Sequence, residues 1–350
     1  MKASRAIAIG AVLALVSAVG IILAVPSVDD FSLDNPYWNG MSAAGSDLGI
    51  SVGGAPDPAS TALLIVGPDT PFTAARVEAI RGYLASGGLV LLLDDFGEGN
   101  SLLEGLGAPV RVNGSLLLDP LFMERSRFYP RASPAGGYVH SVIMDYASSV
   151  QLQGAGTAGV RVLLESSAFS FLDLDGDGEY TAGEPYGPFP VAVEVAYDKG
   201  KLVVVSDSSM LINSVYGISK GNAEFVREVA GNRKILADYG NNAASPYASL
   251  RSAALSAAGA VAEYPELRYL MAVAGAWALF SVDFRLAVSR LRGFSGDEAD
   301  GEYTRAAESH PGWDMRLLRE TWAEMKAKGV AEPPNTKVKQ NEIRVGEYGS

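Results

Sequence analysis

Two apolar stretches bracket the chain. Residues 6–25 (AIAIGAVLALVSAVGIILAV) run for twenty positions without a charge. At ~1.5 Å rise per residue, such a helix matches a hydrocarbon core of ~30 Å. Residues 267–284 (LRYLMAVAGAWALFSVDF) form a shorter run, with Arg268 and Asp283 near its ends, where charges can reach the interface. Between them the pattern changes. Residues 62–66 (ALLIV) and 89–93 (LVLLL) are short continuous apolar runs, which read as strands buried on both faces. Residues 74–84 place Val77, Ile80 and Leu84 on one helical face, and 99–107 (GNSLLEGLG) reads as a short helix closed by glycine. Strand, helix, strand, helix in that order implies a parallel sheet with right-handed crossovers.

The rest of the middle is less regular. Strands are expected around 110–112, 116–118, 138–144 and 160–164. Residues 191–197 and 201–206 read as a hairpin across Asp198-Lys199-Gly200. A helix over 222–230, a last strand at 234–237 and a helix over 248–262 complete the expectation.

The flanks of the apolar stretches agree on an orientation. Lys2 and Arg5 precede the first, and Asp29 and Asp30 follow it; Arg285, Arg290 and Arg292 follow the second. Basic flanks stay inside, so both termini are expected in the cytoplasm. The division is then a cytoplasmic start (1–5), a transmembrane anchor (6–25) and an α/β domain outside (26–240). A linker and helix (241–266), a second span (267–284) and a cytoplasmic tail (285–350) follow. The tail carries an amphipathic helix at 313–328, with Trp313, Leu317, Leu318 and Met325 near one face, and a polar, disordered end. The lipid bilayer is thus one expected partner. A cleaved signal peptide is the competing reading of the first stretch, and a buried core helix that of the second.

Charge sharpens this picture. The net charge is −12 over 350 residues. Residues 30–262 hold 25 acidic and 14 basic groups, while residues 285–350 hold 11 of each. An acidic outer domain excludes nucleic acid as a partner, since phosphates need basic patches. With no cysteine, disulfides, thiolate metal sites and cysteine nucleophiles are excluded. His140 and His310 are the only histidines and fall on opposite sides of the expected membrane, so a histidine zinc site is excluded too.

One stretch carries explicit chemistry. DLDGDGEYTAGE, residues 173–184, fits D-x-[DN]-x-[DN]-G-x5-E without a gap. Asp173, Asp175 and Asp177 stand at positions one, three and five. Glu179 offers a backbone carbonyl at seven, Thr181 acts directly or through water at nine, and Glu184 stands where a bidentate carboxylate is needed. Calcium takes six to eight oxygens, which this spacing can supply. The flanks, SFL and PYGPFPV, read as extended chain rather than helices. The expectation is therefore a structural calcium clip in β-structure, not a sensor.

Asp94 and Asp95 end one strand run and Asp207 ends another, and ligands in open α/β sheets bind at carboxyl ends of strands. Converging there, the three could work as a hydrolase on a surface glycan. The plainer reading is that they cap helices and turns. Ser206, Ser208 and Ser209 have no nearby histidine to activate them.

Three stretches resemble a known family. DFSLDNPYWNGMSAAGSDLG, ALLIVGPDTPFTAARVEAIRGYLASGGLVLLLDD and LDLDGDGEYTAGEPYGPFPVAVEVAYDKGKLVVVSDSSMLIN are similar, in that order, to archaeal membrane proteins of the domain of unknown function 4350 family. The resemblance covers roughly residues 30–238. It implies a three-layer α/β domain with a mostly parallel sheet, like the flavodoxin-like fold of class I glutamine amidotransferases. It also implies kinship with non-catalytic auxiliary subunits of ABC-type transporters. Amidotransferase chemistry needs a cysteine, which this chain lacks. By association, the resemblance implies a membrane complex with a MoxR-type ATPase. The expected function is a membrane-anchored, non-catalytic binding or assembly subunit. The alternatives are an external glycan hydrolase and an ABC-transporter auxiliary subunit.

Overall fold

The computed structural model of the protein describes residues 17–135, 139–154 and 159–273, with isolated positions besides. Two compact units divide it, residues 1–260 and 261–350. In the second unit the described stretch, 261–273, is mostly helical and mostly exposed.

The first unit opens with α1 (Ser42–Leu48) and a two-residue strand β1 (Ser51–Val52). The apolar run predicted at 62–66 forms β2 (Thr61–Val66), buried along nearly its whole length. Thr73 then caps α2 (Ala74–Ala85) by accepting the N–H of Arg76, and Val77, Ile80 and Leu84 are buried as their spacing requires. Next come β3 (Leu89–Leu93), buried at all five positions, and α3 (Gly99–Leu106). A run of short strands follows: β4 (Val110–Val112), β5 (Leu116–Leu118), β6 (Arg131–Pro134), β7 (Val142–Ile143), β8 (Val150–Leu152), β9 (Val160–Glu165) and β10 (Phe171–Asp173). The hairpin β11 (Pro190–Tyr197) and β12 (Gly200–Val205) turns through Asp198, at φ 53°. Then α4 (Asn213–Tyr216), α5 (Lys220–Ala230) and β13 (Lys234–Ala237) lead to α6 (Pro246–Glu263), which buries no residue.

Nine strands join in one sheet, ordered β1-β13-β2-β3-β12-β11-β9-β6-β7. The pairs from β1 to β12 are parallel and those from β12 to β7 are antiparallel. The sheet is therefore mixed rather than mostly parallel. The tight hairpin is the reason: a two-residue connection can only return antiparallel, whereas a parallel neighbour needs a long crossover.

Alternation along the central strands divides the core in two. Leu89, Leu91, Leu93, Val203 and Val205 pack on one face with α1, α4 and α5. Val90, Leu92, Leu202 and Val204 pack on the other with α2 and α3. Helices thus cover both faces. Leu92 is fully buried, so Leu92→Ala should cost about 2–5 kcal/mol. A urea midpoint that falls at unchanged slope is the expected readout.

Several expectations change. Of the strand predicted over 138–144, the described residues form only β7, and the Asn222 side chain binds both backbone groups of its Ile143. Half of the first stretch proposed as a span and most of the second lie outside the described residues. Among the described residues no helix is long and apolar enough to cross a membrane. Nearly all of the tail helix at 313–328 also lies outside them.

Candidate functional site

Connections from β3 and β12 define a crevice. These two strands are parallel neighbours. The chain leaving β3 enters α3 on one face, and the chain leaving β12 enters α4 and α5 on the other. Such a reversal opens a gap beyond the strand ends, where ligands of open α/β sheets bind. Asp94 and Asp95 directly follow β3, and Asp207 follows β12 by two residues.

The structure adds a fourth acid, Asp145, from the loop after β7. Its backbone N–H donates to Asp207 Oδ2 at 2.8 Å. Asp207 Oδ1 accepts the N–H of Ser209 at 2.6 Å. Asp95 Oδ2 accepts the hydroxyl of Ser208 at 2.8 Å, and its Oδ1 the N–H of Phe96. Asp94 Oδ1 accepts from Gly97 N and its Oδ2 from Gly99 N. Asp94 therefore caps the start of α3, which agrees with the plainer sequence reading.

The glycines are there to let the backbone approach. A Cβ on Gly99 would fall 2.4 Å from Asp94 Oδ2, and one on Gly97 would fall 2.4 Å from the Pro68 carbonyl. Gly99→Ala is expected to destabilise by roughly 1–3 kcal/mol, the range for leaving a buried acceptor unsatisfied. A Gly99→Ala melt that overlays the parent would refute the cap.

Burial and repulsion govern the charges. Burial pushes the Asp94 carboxyl up to about 6, with the Asp95 charge adding to it. Burial and then Asp95 push Asp145 up to about 6 as well. Asp207 is fully buried and held well above the ordinary range, first by burial and then by Asp95 and Asp145. Asp95 is raised chiefly by burial, against the Ser208 hydrogen bonds that lower it.

The acidic loop at 173–184 is a separate feature. Asp173, Asp175 and Asp177 bring one oxygen each within 4.8 Å of one another. Asp173 accepts from Gly176 N and Gly178 N, which bends the chain around it. Gly178, at φ 76°, occupies the left-handed region that the sharp turn at position six requires. Glu184 lies outside the triad: its oxygens accept from Leu174 N and Thr181 N. Glu179 pairs with Arg127 at 2.6 Å, and Arg127 also donates to the Gly178 carbonyl. Thr181 thus contributes its N–H to Glu184. As predicted, β-structure flanks the loop: β10 enters it, and Tyr186 bridges back to Phe171 after it. The three clustered carboxylates form a hard-oxygen donor set of the calcium kind.

Asp145 and Arg127 were not legible in the sequence. Neither sits in a motif, and each reaches its site across more than fifty positions of chain, Arg127 to Gly178 and Asp145 to Asp207. A groove of about 500 Å³ lies elsewhere, at the β1 and β13 edge, lined by Val52, Leu63, Ile80 and Leu236, with the Arg76–Asp238 ion pair. It holds none of the strand-end acids.

A mixed α/β domain with a nine-stranded sheet and an acidic switch-point crevice is the class this architecture defines. A family model described as a domain of unknown function (DUF4350) matches residues 34–230, and the chain belongs to that family. No curated protein matches. Among solved structures, the mmIFT52 N-terminal domain is similar at 17% identity and a TM-score of 0.36, over 48% of this chain and 77% of that one. A β-galactosidase from Bacillus circulans sp. alkalophilus is similar at 13% identity and a TM-score of 0.31, over 50% of this chain and 23% of that one. The cytoplasmic protein STM1381 from Salmonella typhimurium LT2 is similar at 14% identity and a TM-score of 0.32, over 49% and 72%.

Proposed function

We propose that the protein is a membrane-anchored, non-catalytic binding or assembly subunit, with its α/β domain outside the membrane and one structural calcium ion in the acidic loop. The supporting observation is at the carbonyl of Val25. It accepts from the Tyr247 hydroxyl at 2.8 Å and from Arg251 Nε at 2.7 Å, and Arg251 also pairs with Asp34. The chain leaving the first apolar stretch is thereby tied to the start of α6, which leads towards the second. Helical residues of both stretches are bare: Val19 and Ile21 in one, Leu270, Met271 and Val273 in the other. Exposed apolar side chains in contiguous runs call for a partner, and lipid is the partner that their composition suits.

The non-catalytic reading draws support from the crevice. Each oxygen of Asp94, Asp95 and Asp207 already accepts a hydrogen bond from the chain itself. A glycan hydrolase would need two of these carboxylates free to face substrate. The cytoplasmic partner would be an ATPase of the MoxR type, as the family resemblance implied.

Two measurements test this. Membranes washed in alkaline carbonate should retain the full chain. Protease added to sealed cells should cut the α/β domain and spare a tag placed after residue 350; the reverse pattern refutes the orientation. In mild detergent the chain should bring other subunits with it, and recovery of the chain alone counts against the assembly role.

A further inference from the structure

Among the described residues, the acids of the crevice have no ion-pair partner. None of the described ion pairs includes Asp94, Asp95, Asp145 or Asp207. Buried carboxylates gathered without a cation are expensive to keep, and proteins normally pair them or give them a metal. Three of the four have their oxygens engaged by the chain. Asp145 differs: it is 7% exposed, and its Oδ1 is buried with no hydrogen-bond partner. Orphaned buried acceptors of this kind are rare and point to something that completes them.

Position supports the same conclusion. Asp145 comes from the loop after β7, an element distinct from the strand ends, yet its own N–H is bound to Asp207. The Asp145 backbone is therefore fastened at the topological switch point, and its orphaned oxygen is buried within reach of that fastening. Tyr146, the next residue, holds φ at 50°, uncommon for a bulky side chain. Asp95 is the most accessible of the four acids, and exposed Phe96 and Tyr146 follow Asp95 and Asp145 directly.

We propose that this crevice binds one hydrated divalent cation of the magnesium class, held at Asp95 and Asp145 with Asp207 behind them. Only oxygen donors are present, which selects a hard cation. Among the described residues, Asp173, Asp175 and Asp177 are the only three acids whose ligand oxygens lie within 4.8 Å of one another. No three of the crevice acids do so, and the ion therefore keeps water between itself and part of the set. Magnesium suits that arrangement, since it dehydrates reluctantly and binds through one or two carboxylates. The site is distinct from the acidic loop.

Manganese serves as the probe, titrated into the full chain in detergent and followed by electron paramagnetic resonance. The loop is first disabled with Asp175→Asn and Asp177→Asn together. One Mn²⁺ per chain should remain, and Mg²⁺ should displace it. Adding Asp145→Asn should weaken binding by roughly tenfold or more, as losses around a metal commonly do. Should that variant fail to fold, Asp95→Asn replaces it, since it keeps an amide oxygen for Ser208, with the same expected loss. No Mn²⁺ on the loop-disabled chain overturns the proposal. So does failure of Mg²⁺ to compete, or equal affinity in the crevice variant.

Discussion

Calcium is expected to raise the melting temperature by roughly 5–10 °C when free ion stands at about a hundred times its dissociation constant. Linkage gives about 2.7 kcal/mol at that excess. For a domain of this size, each kcal/mol moves the midpoint by about 2–4 °C. The cause is local. Asp173, Asp175 and Asp177 crowd their oxygens within 4.8 Å, and no cationic side chain pairs with them among the described ion pairs. Asp177→Asn is the informative variant. Asp177 is exposed and accepts only the Glu179 N–H, which an amide oxygen can still accept. The variant should melt within a degree or two of the calcium-free parent yet lose most of the calcium shift. Asp173→Asn would be harder to interpret, because both Asp173 oxygens hold the turn itself. An unaltered calcium response in Asp177→Asn would remove the loop from consideration.

In chelator, the protein is expected to lose stability as pH rises from about 4 towards 7. The sign follows from proton binding. Asp94 and Asp145 are each raised from 3.8 to about 6, and Asp207 lies well above 3.8. Between the unfolded and folded values the native state holds protons that the unfolded chain has released. Stability therefore falls with pH across that window. A shift of about two units corresponds to roughly 3 kcal/mol for either group at ~1.36 kcal/mol per unit. The two contributions are not independent, since both feel Asp95. Asp95→Asn removes that shared charge while leaving an acceptor for Ser208. Its stability curve should be flatter over pH 4–7 and lie above the parent at pH 8. Parallel curves for parent and variant would show that burial alone sets these carboxyls.

Much of the left half of the sheet was legible. The run at 89–93 became β3 with the same bounds, because a strand buried on both faces announces itself by composition, and the stretch 234–237 became β13 with its expected bounds. The acidic loop was legible for another reason: its chemistry is local in sequence. What escaped was non-local. β1, β6 and β8 are two to four residues long, too short for alternation to register. Their place is set by partners such as β13, β9 and β4. Asn213 shows the same limit. It donates to the carbonyls of Asn35 and Tyr37 and accepts the N–H of Ala43. Two of the stretches that carried the family resemblance are thus one hydrogen-bonded unit, a fact that neither shows alone. The expected mostly parallel character ends at β12: the hairpin and the strand at 160–164 were expected, but nothing local showed that β9 would lie beside β11 or β6 beside β9.

The ends of the sheet carry one more consequence. Its two outermost strands, β1 and β7, are two residues long apiece, although the strands at its centre run to five, six and eight. A strand so short presents too few free amides and carbonyls to template another chain. Among the described residues, then, β1 and β7 themselves are poorly suited to extension by an extended peptide from a neighbour. Peptides designed to pair with β1 or β7 should therefore come up blank in an array that probes for β-augmentation.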